Sequence, residues 1–256
     1  MVADLLRFDN VTLGYDRHPA VHHLDLQIKR GALIAVVGPN GGGKSTLIKG
    51  IAGAITPLQG KIHCDIAKRD IAYLPQQSAI DGDFPIRLID LVAMGLWRRN
   101  GAFGAFSKSC RAEVDRALAT VGLQGFEKRP IGTLSGGQLQ RALFARLILQ
   151  NAELILLDEP FAAIDSRTVS DLTRLVADWH RQGKTILAVS HDLYQVHEHF
   201  PLTLLLAREL VAYGATAEVL SQQNLLRARR LTEAFDDHAH VCERGQHEQE
   251  KEDDAA

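Results

Sequence analysis

The stretch Gly38-Pro39-Asn40-Gly41-Gly42-Gly43-Lys44-Ser45-Thr46 decides the reading of this chain. Ahead of it, Ala32 to Val37 is an apolar run with β-branched members, the pattern of a buried strand. Behind it, Thr46, Leu47, Ile48 and Ile51 recur at helical spacing, which predicts a helix opening near Lys44. A strand, a glycine-rich turn and a helix start make a phosphate-binding loop. Glycines let the backbone approach phosphate without side-chain clash. Successive N–H groups then form an anion nest, and the helix N-terminus adds unpaired donors with about half a positive charge. In such a loop Lys44 reaches the β- and γ-phosphates of a nucleotide, and the Ser45 hydroxyl ligates magnesium.

Further along, Leu154 to Leu157 is a fully apolar strand that delivers Asp158 and Glu159 at its C-terminal end. That end of a parallel strand faces the crevice where α/β sheets bind ligands. Asp158 is the expected magnesium partner, and Glu159 is placed to act as general base on the attacking water. Lys184 to Val189 is another apolar strand, ending at Ser190-His191-Asp192. A lone histidine after a strand is more often structural; its place in this series of motifs points His191 toward the γ-phosphate.

Between these segments stands Leu134-Ser135-Gly136-Gly137-Gln138. Ser135 is at an N-cap position with Gln138 three residues on, a capping-box pattern. Leu139, Ala142, Leu143, Ala145, Arg146 and Ile148 follow as a helical stripe with Arg141 outside it. Two glycines in a first helical turn weaken the helix relative to alanine. That weakness has a use if a ligand approaches the bared backbone, a second anion site at a helix N-terminus.

With these motifs the chain resembles the ATP-binding subunits of ABC transporters over roughly residues 5 to 225. The resemblance implies an α/β fold: a P-loop NTPase core of mainly parallel sheet flanked by helices, an N-terminal antiparallel β subdomain and an inserted α-helical subdomain. Residues 1–235 form the ATPase domain, with the helical subdomain at about 77–150. The nucleotide-binding set comprises Gly38, Pro39, Asn40, Gly41, Gly42, Gly43, Lys44, Ser45 and Thr46 of Walker A. Ser135, Gly136, Gly137 and Gln138 are the signature, and Asp158 ends Walker B. Glu159 is the catalytic glutamate and His191 the switch histidine. Tyr15 stands where an aromatic stacks on adenine, and Gln76, in Tyr73-Leu74-Pro75-Gln76, is a γ-phosphate and water sensor that joins Ser45 and Asp158 around magnesium. Ala162-Ala163-Ile164-Asp165 occupies the place of Ser-Ala-Leu-Asp, so Asp165 keeps a cross-dimer contact while Ala162 lacks a hydroxyl. ATP and Mg2+ are the implied cofactors. Two subunits pack head to tail, the signature of each closing on the phosphate held by the other.

The remaining residues narrow the setting. The chain has 256 residues, 46% hydrophobic, with net charge −2 and pI about 6.6. There is no general basic field for nucleic acid. No apolar run is long enough to span a bilayer, and Met1-Val2-Ala3-Asp4 does not open a secretory signal. Cys64, Cys110 and Cys242 are scattered and make no disulfide framework. The expectation is a cytosolic protein, held peripherally at the cytoplasmic face of the inner or plasma membrane by an integral membrane permease. A periplasmic or extracellular substrate-binding protein is an indirect partner. Residues 86–97 and Arg111 to Val121 carry helical patterns. Pro85 suits a first helical turn, and Phe84 is either a hydrophobic staple or part of a groove for a permease helix. That segment and the Gly41-Gly42-Gly43 form of the loop look like the branch that imports zinc, with manganese next. A soluble ATPase of iron–sulfur cofactor assembly and an importer of iron chelates stay open. From Asp236 onward an acidic tail, residues 236–256, reads as disordered. Its His238, His240, Cys242 and His247 are either zinc ligands or incidental polar residues of a solvated tail. His18, His22 and His23 read as surface residues near Tyr15.

Overall fold

The computed structural model describes residues 3–16, 18–76, 84–101 and 107–234. β1 (Asp4–Tyr15) pairs antiparallel with β2 (His18–Lys29). β3 (Leu33–Val37) leads into α1 (Lys44–Ile51). β4 (Gln59–Cys64) then returns to the other side of β1, giving a sheet ordered β2-β1-β4. β5 (Ile71–Leu74) precedes α2 (Leu88–Ala93), α3 (Trp97–Asn100), α4 (Lys108–Thr120) and α5 (Gly136–Gln150). Next come β6 (Leu154–Leu157), α6 (Ser166–Arg181), β7 (Thr185–Val189) and α7 (Leu193–His199). β8 (Leu202–Ala207), β9 (Glu209–Ala215), α8 (Thr216–Val219) and α9 (Gln222–Ala234) close the described chain. The larger sheet is ordered β5-β6-β7-β3-β8-β9, parallel except for β9.

The larger sheet separates two cores, and the pleat of β3 shows how. Leu33, Ala35 and Val37 face one core, shared with α2, α4, α5 and α6. Ile34 and Val36 face the other, shared with β1, β2 and α1. Both faces being covered, β3 and β6 are apolar at every position, and β7 and β8 each bury one threonine, Thr185 and Thr203. On the helical side Phe144 of α5 and Trp179 of α6 stack with centroids 5.7 Å apart and planes 7° from parallel.

In β1 the side-chain alternation of a regular strand breaks. Leu5 and Leu6 are both buried, and so are Val11, Thr12 and Leu13. Register shifts fall between Asp4 and Leu6 and between Phe8 and Val11, where Asn10 takes a left-handed φ of 47°. Such bulges re-aim the side chains that follow.

The helix expected over residues 86–97 starts later and is interrupted. Arg87 is its N-cap, so Pro85 lies outside the first turn. Ile86 accepts a hydrogen bond from the Ile131 N–H (3.0 Å) and Arg87 bridges Pro130, which keeps this entry extended. The residue before the cap is therefore Ile86, which packs against the core, while Phe84 stays 57% exposed. After Ala93 the helix tightens to a 3-10 turn at Met94–Leu96. A Cβ on Gly95 would fall 2.4 Å from the Arg146 carbonyl oxygen, so α5 leaves room for glycine alone there.

Truncating the aromatic stack tests the helical-side core. Phe144→Ala is expected to lower unfolding free energy by about 3–5 kcal/mol, read as a fall in the urea midpoint at unchanged slope.

Candidate nucleotide site

The loop between β3 and α1 is built by close backbone approach. Gly38 has φ 150°, and a Cβ there would meet the Leu206 carbonyl oxygen at 1.9 Å. A Cβ on Gly43, at φ 89°, would meet the Ala20 carbonyl oxygen at 2.5 Å. The Arg208 N–H donates to the Gly42 carbonyl (3.0 Å), which fastens the loop to the end of β8. Around Gly41 there is open space, the side a phosphate would approach. The Lys44 ammonium, buried under this loop, donates to the Gly38 and Pro39 carbonyls at 2.9 and 2.8 Å. Those carbonyls occupy donors that phosphate oxygens would take. Burial pushes the lysine below its ordinary pKa, against the pull of Glu159 and Asp158.

β6 and β7 bring the acids and the histidine alongside. The Ser45 hydroxyl donates to Asp158 Oδ1 at 2.8 Å, so the two oxygen donors expected to hold magnesium are already paired. Asp158 is buried, and desolvation pushes its carboxyl above the usual carboxylate range. A buried carboxylate beside a hydroxyl is a hard-oxygen set suited to a small divalent cation. Glu159 is gripped from both sides: Gln76 Nε2 donates to Oε2 at 3.0 Å, and His191 Nε2 is 2.7 Å from Oε1. Gln76 thus meets Glu159, not the Ser45–Asp158 pair with which the sequence grouped it. Beside Glu159 and His191 lies a cavity of about 140 Å³ that also touches Phe161 and Gln195, ample for water. Tyr15, at the end of β1, is 46% exposed, with the Lys49 ammonium 5.7 Å from its ring centre.

The signature residues stand apart from this cluster. Ser135 caps α5 in a complete capping box: its hydroxyl accepts from the Gln138 N–H (3.3 Å), and Gln138 Oε1 accepts from the Ser135 N–H (3.0 Å). Asp165 caps α6 through the Thr168 N–H (2.9 Å) and hydroxyl (2.7 Å), and these bonds hold its carboxyl below the usual range. A Cβ on Gly137 would come within 3.1 Å of Asp165 Oδ2. His238, His240, Cys242 and His247 lie outside the described residues.

One expectation is corrected, and one side chain is more engaged than its place on the helix implies. Arg141 lies off the apolar stripe yet out of solvent: its side chain is 17% exposed and bonds Val121, Thr168 and Asp171, because α6 packs over that face. His22 is not at the surface either. It is buried, its N–H donates to the Arg208 carbonyl (2.7 Å), and desolvation lowers its pKa. Sequence reasoning also missed Gln140, a buried amide whose Nε2 donates to the Pro160 carbonyl at 2.7 Å. Its signal was a polar residue between apolar Leu139 and Ala142 on a helix that buries most of its circumference.

The sequence profile of ABC transporters matches residues 21–162, which run from β2 through the phosphate loop and signature to just past Glu159. The chain belongs to the ABC transporter family. It is accordingly an ATPase whose hydrolysis is coupled to transport. Among ABC relatives, the manganese transport system ATP-binding protein MntB of Bacillus subtilis (strain 168) is 40% identical over 86% of this chain and 90% of its own. The zinc transport system ATP-binding protein TroB of Treponema pallidum (strain Nichols) is 37% identical over 87% of this chain and 86% of its own. A solved dimeric ATP-binding cassette, MJ0796 in a post-hydrolysis state with ADP and Pi, superposes with TM-score 0.73 at 26% identity, over 83% of this chain and 99% of that one.

Burial of Asp158 sets a pH-dependent stability. A carboxyl with a raised folded pKa binds protons more tightly in the native state, so its charged form opposes folding above that pKa. Asp158→Asn keeps an acceptor for Ser45 and removes the buried charge. The nucleotide-free variant is expected to melt higher than the parent at neutral pH, the gain shrinking as pH falls toward 3.8, the ordinary aspartate value. Differential scanning fluorimetry across pH reads this.

Proposed function

We propose that this chain is the ATP-hydrolysing subunit of an importer for a divalent metal ion, zinc or manganese, working as a homodimer on an integral membrane permease. The observation that carries the catalytic half is the Glu159 carboxylate, held by Gln76 and His191 beside a cavity with room for water. The metal half rests on relatives at 37–40% identity that are named for manganese and zinc transport and matched over most of their length. Among the described residues no helix is long and apolar enough to cross a membrane, so the membrane step falls to a partner.

ATP supplies what the nucleotide-free site lacks. Its phosphates replace the Gly38 and Pro39 carbonyls as acceptors for Lys44 and sit on the N–H groups of the loop. Ser45 and Asp158 would hold Mg2+, which when bound neutralises charge on the β- and γ-phosphates. Tyr15 offers its exposed ring to the adenine. Glu159 accepts a proton from the attacking water, Gln76 orients that water, and His191 Nε2 fixes the carboxylate. Ser135 is exposed and Gly137 half-buried at the α5 N-terminus, where the nucleotide of a second copy would meet them. The Phe84 ring and the half-exposed Trp97 lie on the helical subdomain, where a permease helix would dock. A substrate-binding protein would meet that permease on the far side of the membrane and never touch this chain.

Co-expression with its permease, followed by reconstitution in vesicles, tests the proposal. ATP-dependent uptake of radioactive zinc or manganese is the expected result, and uptake of neither sinks the metal reading. Glu159→Gln is expected to retain ATP, form a stable dimer in gel filtration and lose turnover by at least about 100-fold. Turnover near the parent rate would remove Glu159 from its role.

A further inference from the structure

The turn that carries Glu159 is held from α5, and we propose that Gln140 and Arg141 are positioning residues for hydrolysis, tying both ends of the Glu159–Asp165 turn to the signature helix. Glu159 has φ 51° and Ala163 φ 56°, two left-handed non-glycine residues in one short turn. Such conformations persist where the surroundings over-determine them.

Gln140 supplies one restraint. It is 4% exposed, and its amide donates to the carbonyl of Pro160, the residue bonded to Glu159. Arg141 supplies the other. Its guanidinium reaches Thr168 Oγ1 from Nε (3.3 Å) and Nη2 (3.2 Å), Asp171 Oδ2 (2.7 Å) and the Val121 carbonyl (3.1 Å). Thr168 in turn is capped by Asp165, the far end of the turn. Gly137 lies against the same Asp165 carboxylate, where a Cβ would be crowded.

Both anchors sit within two turns of Ser135. A shift of the α5 N-terminus is therefore passed to the Glu159 backbone through two short polar links. This rests on the reading that Ser135 and Gly137 contact nucleotide on a second copy. Given that contact, each subunit's Glu159 is aligned when its signature engages the partner's ATP, which links occupancy of one site to the base of the other.

Gln140→Met keeps the side-chain length and removes the donor. Its kcat is expected to fall about 10- to 100-fold with KM for ATP within about twofold. Gln140→Glu adds a readout that simple destabilisation would not give. A protonated carboxyl can donate to the Pro160 oxygen and an ionised one repels it, and burial raises a carboxyl's pKa. The kcat of Gln140→Glu relative to Gln140→Met should therefore climb as pH is lowered from about 8 to about 6. Arg141→Lys, which cannot span Thr168, Asp171 and Val121 with one planar fork, should likewise lose kcat at constant KM. The idea is overturned if Gln140→Met and Arg141→Lys melt lower yet turn over like the parent, if the loss is in KM, or if the two Gln140 variants run parallel across pH. Parent turnover and Glu159→Gln inactivity, measured alongside, report on the base itself, so its failure is told apart from failure of the links.

Discussion

Three parallel strands that end side by side are the constraint on which the site depends. β6, β7 and β3 are neighbours, paired Ile155 to Ile186 and Ile34 to Leu187. They are apolar but for Thr185 at the start of β7, because both faces are covered, so the charged groups come at their C-terminal ends. There the three chains leave the sheet at Gly38, at Asp158–Glu159 and at Ser190–His191. Residues distant in sequence meet in one crevice because sheet order, not local chemistry, places them. β8, on the other flank of β3, closes the arrangement: the Leu206 carbonyl presses on Gly38, and Arg208 bonds Gly42.

What was legible in the sequence was what depends on neighbours along the chain. The apolar run before Gly38, the helix opening at Lys44 and the capping box of Ser135 and Gln138 are local patterns, and each is present in the structure. Resemblance drew Glu159, Gln76 and His191 to the γ-phosphate and its water, but no spacing in the chain implies two hydrogen bonds to one carboxylate.

The misreadings have tertiary causes. Counting around one helix sets Arg141 off the apolar stripe but cannot show its partners Thr168 and Asp171, 27 and 30 positions away on α6. His22 is polar and follows a turn, yet it is buried beside Arg208 because β2 packs against the β8–β9 junction. Pro85 suits a first helical turn, but pairing of Ile86 with Ile131 delays the helix. Bulges in β1 could not be foreseen from alternation, because a left-handed Asn10 changes which face each later residue meets.

The electrostatics of the crevice explain why it is built at a cost to the empty protein. Lys44 and Asp158 are both nearly excluded from water, and burial disfavours the charge on each. Their mutual attraction and a few hydrogen bonds offset only part of that penalty. An anionic nucleotide with a divalent cation matches both groups: phosphate replaces backbone carbonyls at the ammonium, and the cation takes the carboxylate. Binding relieves a penalty that folding incurred, so affinity and local instability have a common origin. The groups whose burial weakens the empty fold are in this way the ones the ATPase needs. Retention of a buried lysine and a buried aspartate opposite each other is thus a signature of the ligand, written in the energetics of the fold that waits for it.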